Sequence, residues 1–265
     1  MDINKFICKP LSWGYNDPIF LSLCEDHAGY TIKNTTQPQN NSDKEFFLKK
    51  PGIDYIHPKF LSESEKIAWE SMGISFVEEE NFQYSSFNDL ALQMYESLAC
   101  VRNLQSSISS FALVFHPILS APNNDVSFSD PDIPFDIFCS IPSIQEANRL
   151  ERFTESVIHE TLHLQLTCIE KHIPLFHEEY LSNHFYSPWK GEGRNERGLL
   201  HAIYVFSNIR KYWITMNNSS VKNSNFIERR IISITNELEK SEHIFTSKAL
   251  TKEGSRLATL CFSDL

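Results

Sequence analysis

The chain is poor in glycine, with eight in 265 residues. That is less than half of the roughly 7% found in an average protein. It contains no G-x-G-x-x-G and no G-x-x-x-x-G-K-[ST], so neither common phosphate loop is present. Basic residues are also in deficit, 24 Lys and Arg against 34 Asp and Glu, for a formal net charge of −10. Without a basic surplus to displace counterions from phosphates, nucleic acid is not an expected partner. Long apolar runs are missing. The longest, around Phe111 to Phe115, is far too short to span a bilayer, so no membrane partner is expected. The first ten residues carry no apolar stretch of the kind a signal peptide needs. Six cysteines are scattered along the chain with no C-x-x-C. Together these features predict a cytoplasmic protein with reduced thiols.

What is there is a large apolar fraction, 41%, enough for a real core in one domain spanning 1–265. No internal repeat and no linker divides it. Residues 34–44 have no apolar side chain and read as an exposed loop. Helices are expected from Leu61 to Met72, opened by Ser62-x-x-Glu65, and over residues 88–108. Phe111 to Phe115, ended by His116-Pro117, reads as a buried strand. Val126 to Ser129 and Phe135 to Ile141 read as strands from their alternation. A long helix should open at a Ser143-x-x-Glu146 capping box and run to Lys171, before Pro174. Its two apolar stripes make it central to its domain. Further helices are expected over 198–216, 225–246 and 251–262. The fold class is therefore α+β and mostly helical, with the long helix buried on a small sheet. Residues 111–216 would form the core, 217–265 C-terminal helices, and 1–110 a part without catalytic motifs.

On that central helix lies His159-Glu160-Thr161-Leu162-His163, an H-E-x-x-H sequence. Positions i and i+4 share one helical face, so both imidazoles can reach one metal ion, with Glu160 beside them. A chance match is the plain alternative. It is weakened by the cost of placing two His and a Glu on a buried helix without pairing or metal. The third ligand is open. Leu166 and Ile169 occupy the positions where H-E-x-x-H-x-x-G-x-x-H would place Gly and His, which excludes that class. Glu178 and Glu179 lie in the region where a carboxylate ligand would follow. His177, His184 and His201 are the imidazole candidates. His201 opens a predicted helix directly after a glycine-rich turn, where a ligand would be rigidly held.

Four ordered segments carry a resemblance. They are Val126-Ser-Phe-Ser-Asp-Pro, Glu155-Ser-Val-Ile-His-Glu-Thr-Leu-His-Leu, Tyr186-Ser-Pro-Trp-Lys followed by Arg194, and Gly198-Leu-Leu-His-Ala-Ile-Tyr-Val-Phe. Over residues 126–210 the chain resembles the HExxH-type peptide-modification family, whose members look like iron- and 2-oxoglutarate-dependent peptide β-hydroxylases. It departs from the pattern at Lys190, where Arg is usual, and at Ala202, where Gly is usual. The resemblance implies Fe(II) held by His159, His163 and His201, with an open face for 2-oxoglutarate and O₂. Glu160 would then orient a ligand or a metal-bound water. Arg194 would clamp the distal carboxylate of 2-oxoglutarate through its planar fork, with Arg197 and Lys190 as alternatives. Ser127 and Ser129, on the first strand, could hydrogen-bond the co-substrate or simply face outward. The substrate implied is a ribosomally made peptide with a side-chain carbon, Cβ, as the site of hydroxylation and a leader sequence as a further possibility. Residues 1–110 would be the peptide-recognition part. The competing reading is a zinc metallopeptidase with Glu160 as general base and Glu178 or Glu179 as third ligand.

Overall fold

The computed structural model describes residues 56–265, except 113, 134, 172, 183, 220–224 and 264. The loop expected at 34–44 lies outside the described residues, as does half of the proposed peptide-recognition part. The described chain is mostly helical with a small mixed sheet. Its contacts group into two compact units. One contains the described residues up to Leu164, and the other contains Gln165–Leu265.

The first unit holds the sheet. Its strands are β1 (His57–Pro58), β2 (Val114–Ile118), β3 (Ser127–Ser129) and β4 (Asp136–Ser140), in the order β1-β2-β4-β3. β1 and β4 run parallel to β2, and β3 is antiparallel to β4. The register puts His116, Phe138 and Phe128 on one face. Trp69, from α1 (Glu63–Glu70), lies 5.1 Å from Phe128 and 5.2 Å from Phe138 by ring centroids. Phe76 and Ile118 complete this cluster. The other face carries Phe115, Ile137, Cys139, Ser127 and Ser129. Phe115 meets Phe87 of α2 (Tyr84–Leu98) at 4.9 Å and Phe153 of α4 (Arg149–Glu170) at 5.8 Å.

Several boundaries differ from expectation, each for a local reason. The helix predicted over 88–108 is two helices, α2 and α3 (Arg102–Phe111), broken at Ala99–Val101. Phe111 therefore ends a helix, and the strand lies later, at Val114–Ile118, with His116 and Pro117 inside it. Phe135 has φ 74, so β4 opens one residue after it. The Ser143–Glu146 bond forms at 3.2 Å but closes only a turn. Asn148, at φ 54, sits in the left-handed region, and α4 starts after it.

The second unit holds α5 (Glu196–Asn218), α6 (Asn225–Glu239) and α7 (Lys252–Phe262). It also contains an antiparallel hairpin of β5 (Phe185–Ser187) and β6 (Glu192–Arg194), where the sequence suggested only a loop. Gly191, at φ 70, makes the turn that an L side chain resists. The helix expected to run to 246 ends at Glu239, and a 3₁₀ turn covers Glu242–Thr246.

Candidate functional site

α4 is buried along most of its circumference: Phe153, Val157, Ile158, Leu162, Leu166 and Ile169 are all inaccessible. Beyond its first turn, Arg152, Glu155, His159, His163, Thr167 and Glu170 are its half-accessible residues and form one stripe. The two histidines thus lie on the face that stays reachable along the body of this helix. Their Nε2 atoms converge to 3.1 Å. Two imidazoles on one ion at about 2.0–2.1 Å, at right angles, are separated by about 3 Å. The pair therefore fits two adjacent positions around a single metal. Among the described residues, no group of three or more His, Cys, Asp or Glu gathers round one point.

Glu160 points elsewhere. Its carboxylate is buried and accepts two hydroxyl hydrogen bonds from β3, Ser127 Oγ to Oε1 at 2.6 Å and Ser129 Oγ to Oε2 at 2.8 Å. Oε1 is 3.9 Å from His159 Nε2. Burial raises the Glu160 carboxyl to about 7, and the two hydroxyls pull it back toward the usual range. Among the described residues no Lys or Arg pairs with it, and burial prevails. Burial also pushes the Cys139 thiol up, and Glu160 adds to that rise. A second anchor ties β3 to α4. Arg152 takes Asp125 through Nε at 2.8 Å and Nη2 at 2.7 Å, and Glu146 through Nη1 at 2.6 Å. Ser127 and Ser129, expected as co-substrate contacts or as outward positions, instead spend their hydroxyls on Glu160.

The remaining candidates sit in the second unit. His201, on α5, has Nε2 3.3 Å from Glu170 Oε2, at the end of α4. Arg197 lies one turn before His201 and reaches the same Glu170 oxygen at 3.5 Å. Arg197 also pairs with Glu178 and lies over the Phe176 ring. Its charge is therefore committed, and so is one of the two proposed carboxylate ligands. His177, Glu179, His184 and Lys190 are exposed.

Arg194 differs from Arg197. It ends β6, is half-buried, and has no ion-pair or hydrogen-bonding side-chain partner among the described residues. Its guanidinium lies over the first turn of α5. A Cβ placed on Gly198 would come within 3.3 Å of Arg194 Nε and 3.2 Å of Asn195 Oδ1. Asn195 caps the helix by accepting from Gly198 N–H at 2.8 Å. Two of the clustered glycines thus have distinct uses, one in the hairpin turn and one in clearing space for the arginine.

Sequence reasoning missed Glu170, which carries no motif and becomes visible only when α5 delivers Arg197 and His201 to it. It also assigned nothing to His116. That side chain is buried, bonded to Asp136 at 2.8 Å and to the Lys59 carbonyl at 3.0 Å. The carbonyl can only accept, so Nδ1 donates to it. This is a buried structural pair joining β2 to β4.

The chain matches no protein-family model, and no curated protein sequence matches it. Among the described residues no helix is long and apolar enough to cross a membrane.

Proposed function

We propose that this protein is an Fe(II)- and 2-oxoglutarate-dependent oxygenase that hydroxylates a side-chain carbon, Cβ, of a residue in a ribosomally made peptide. The observation that carries the reading is the arrangement around α4, packed on its small sheet. His159 and His163 converge on the accessible stripe at a metal-ligand separation. Glu160 is turned inward and held by Ser127 and Ser129. A metallopeptidase needs that carboxylate free to take a proton from metal-bound water. An oxygenase does not, and can use it to fix the helix that presents the ligands.

His159 and His163 would hold the metal, and His201 is proposed as the third ligand on the strength of the motif order. Bound Fe(II) with 2-oxoglutarate and O₂ supplies the oxidising chemistry. The chain's own part is to hold and orient. Glu160 and its two serines keep the His-bearing turn in register with β3. Arg194, uncommitted to any carboxylate among the described residues, is proposed to bind the distal carboxylate of 2-oxoglutarate. A leader-bearing precursor is the proposed partner.

The test is anaerobic reconstitution with Fe(II), followed by O₂ and measurement of 2-oxoglutarate conversion to succinate. Turnover lost in His159→Ala and retained in Glu160→Gln is expected. Tight zinc, no succinate, and peptide-bond hydrolysis abolished by Glu160→Gln would establish the peptidase instead.

A further inference from the structure

β3 is an edge strand. Among the described residues its only sheet neighbour is β4. In antiparallel pairing, hydrogen-bonded residues alternate with residues whose backbone groups point away. The Ser140 N–H donates to the Val126 carbonyl at 2.8 Å, which sets the phase. Val126 and Phe128 therefore face β4, and the N–H and C=O groups of Ser127 and Ser129 face outward. All three residues of β3 are partly accessible.

The position of that edge relative to the histidines follows from α4. Arg152 is seven residues before His159 and eleven before His163, so all three share one stripe. Arg152 takes Asp125, two residues before β3. Phe153, on the neighbouring stripe, packs instead on Phe115 of β2. The histidine side of α4 is thus the β3 side, away from the sheet interior.

We propose that the peptide substrate adds to the sheet as an extended strand along the outer edge of β3, beneath His159 and His163. The proposal rests on the peptide-modifying reading for its occupant. The backbone of Ser127 and Ser129 offers two donors and two acceptors, the usual currency of strand addition. Alternate side chains of the added strand point to the α4 side, and the residue to be modified is one of these. Its two chain neighbours then lie beside Phe128 and Trp69, which select apolar side chains. Asp130 and Asp132 follow β3 at once and have no cationic partner among the described residues. They favour a basic residue at that end of the peptide. The serine hydroxyls, spent on Glu160, hold the edge in place.

The test uses the full metal-free chain and the probe acetyl-Lys-Val-Asn-Val-Lys-amide at about 1 mM, with amide exchange followed residue by residue. Protection of Ser127 and Ser129 is expected to rise at least tenfold, with Phe128, already paired to β4, unchanged. N-methylation of the probe at one alternate set of amides should abolish the effect, and at the other set leave it. Glu in place of Lys should weaken it several-fold, and Asp130→Asn with Asp132→Asn should remove that difference. The idea is overturned if Ser127 and Ser129 are already protected without peptide. Their exchange staying unchanged at 1 mM, or both N-methyl sets behaving alike, would also overturn it. Succinate formation plays no part in this readout, so a failed oxygenase assay and a failed strand addition are separate results.

Discussion

The middle and the C-terminal end of α4 use the same residue types for opposite purposes. In the first unit, Glu160 is held by neutral hydroxyls while His159 and His163 turn away toward each other. In the second, Glu170 is approached by two cationic or titratable groups, Arg197 and His201. A carboxylate among hydroxyls in a buried site becomes reluctant to ionise, and here it is pushed up to about 7. A carboxylate beside a guanidinium is a charge partner, and it fixes what it touches. The first arrangement brings two imidazoles together, 3.1 Å apart at Nε2, whereas the second sets an imidazole beside a carboxylate. The following substitutions separate these roles.

The largest effect should come from the pair itself. His159→Ala or His163→Ala would remove a proposed direct ligand, where loss of an outer partner alone costs about 10–100-fold in affinity. Metal affinity should fall by more than ~100-fold, and the rise in Tm on adding Co(II) or Zn(II) should vanish. His201→Ala tests the proposed third ligand by the same thermal shift. A full shift in that variant would remove His201 from the site.

Glu160→Ala leaves two part-buried hydroxyls without their acceptor and empties a buried site, and should cost about 2–4 kcal/mol in urea unfolding. Glu160→Gln should keep most of that stability, and the comparison gains a pH dependence. Burial raises this carboxyl from its ordinary 4.5 to about 7. Between those values the folded metal-free protein holds a proton that the unfolded chain has released. This group's contribution to stability is therefore greatest below pH 4.5 and is lost as pH rises toward 7, by on the order of 3 kcal/mol. Gln mimics the protonated form, so the variant should gain on wild type as pH rises from 5 to 8. A gap independent of pH would mean that burial does not raise the Glu160 carboxyl.

Within the second unit the two arginines sharpen the contrast. Arg197 is tied to Glu170, Glu178 and the Phe176 ring, and Arg194 to no carboxylate among the described residues. Arg194→Ala should leave Tm nearly unchanged and weaken 2-oxoglutarate binding by about 10–100-fold, the range of a charge-assisted bond. Arg197→Ala should lower Tm and affect 2-oxoglutarate less. Isothermal titration beside thermal melts decides it, and the reverse pattern would move the clamp to Arg197.

How much of this was legible in the sequence depends on whether the cause is local. The H-E-x-x-H spacing and the helical stripes are set by the 3.6-residue period, and the two His converge because of it. Strand positions from Val126 to Ser140 were readable because alternation survives burial. The break at Ala99–Val101 and the late start of α4 at Arg149 were not, since backbone angles such as φ 54 at Asn148 decide them. Ser127 and Ser129 read as co-substrate contacts or outward positions because only the position of Glu160, 33 and 31 residues away, tells which way they face. The β5–β6 hairpin was hidden because its three-residue strands carry too little pattern, and its glycines suggested a loop.

Gly198→Ala should have the smallest effect and bears on the same arginine. Its new Cβ would sit 3.2 Å from Asn195 Oδ1, 3.3 Å from Arg194 Nε and 3.4 Å from Arg194 Cζ. All three atoms belong to side chains, so the neighbours can give way, and the guanidinium is the more flexible of them. Against this crowding stands the gain of about 1 kcal/mol for Ala over Gly inside a helix. Position 198 lies in the first turn of α5, and its N–H is bound by the cap. Part of that gain is therefore offset if Asn195 must turn. Net stability should change by less than about 1 kcal/mol, of either sign. The informative quantity is the affinity for 2-oxoglutarate. If Arg194 is held over the helix start in order to meet a carboxylate, displacing it by a few tenths of an ångström should weaken binding several-fold while Tm barely moves. If Arg194 is only a loop charge, Gly198→Ala should leave 2-oxoglutarate binding unchanged, and Arg194→Ala with it.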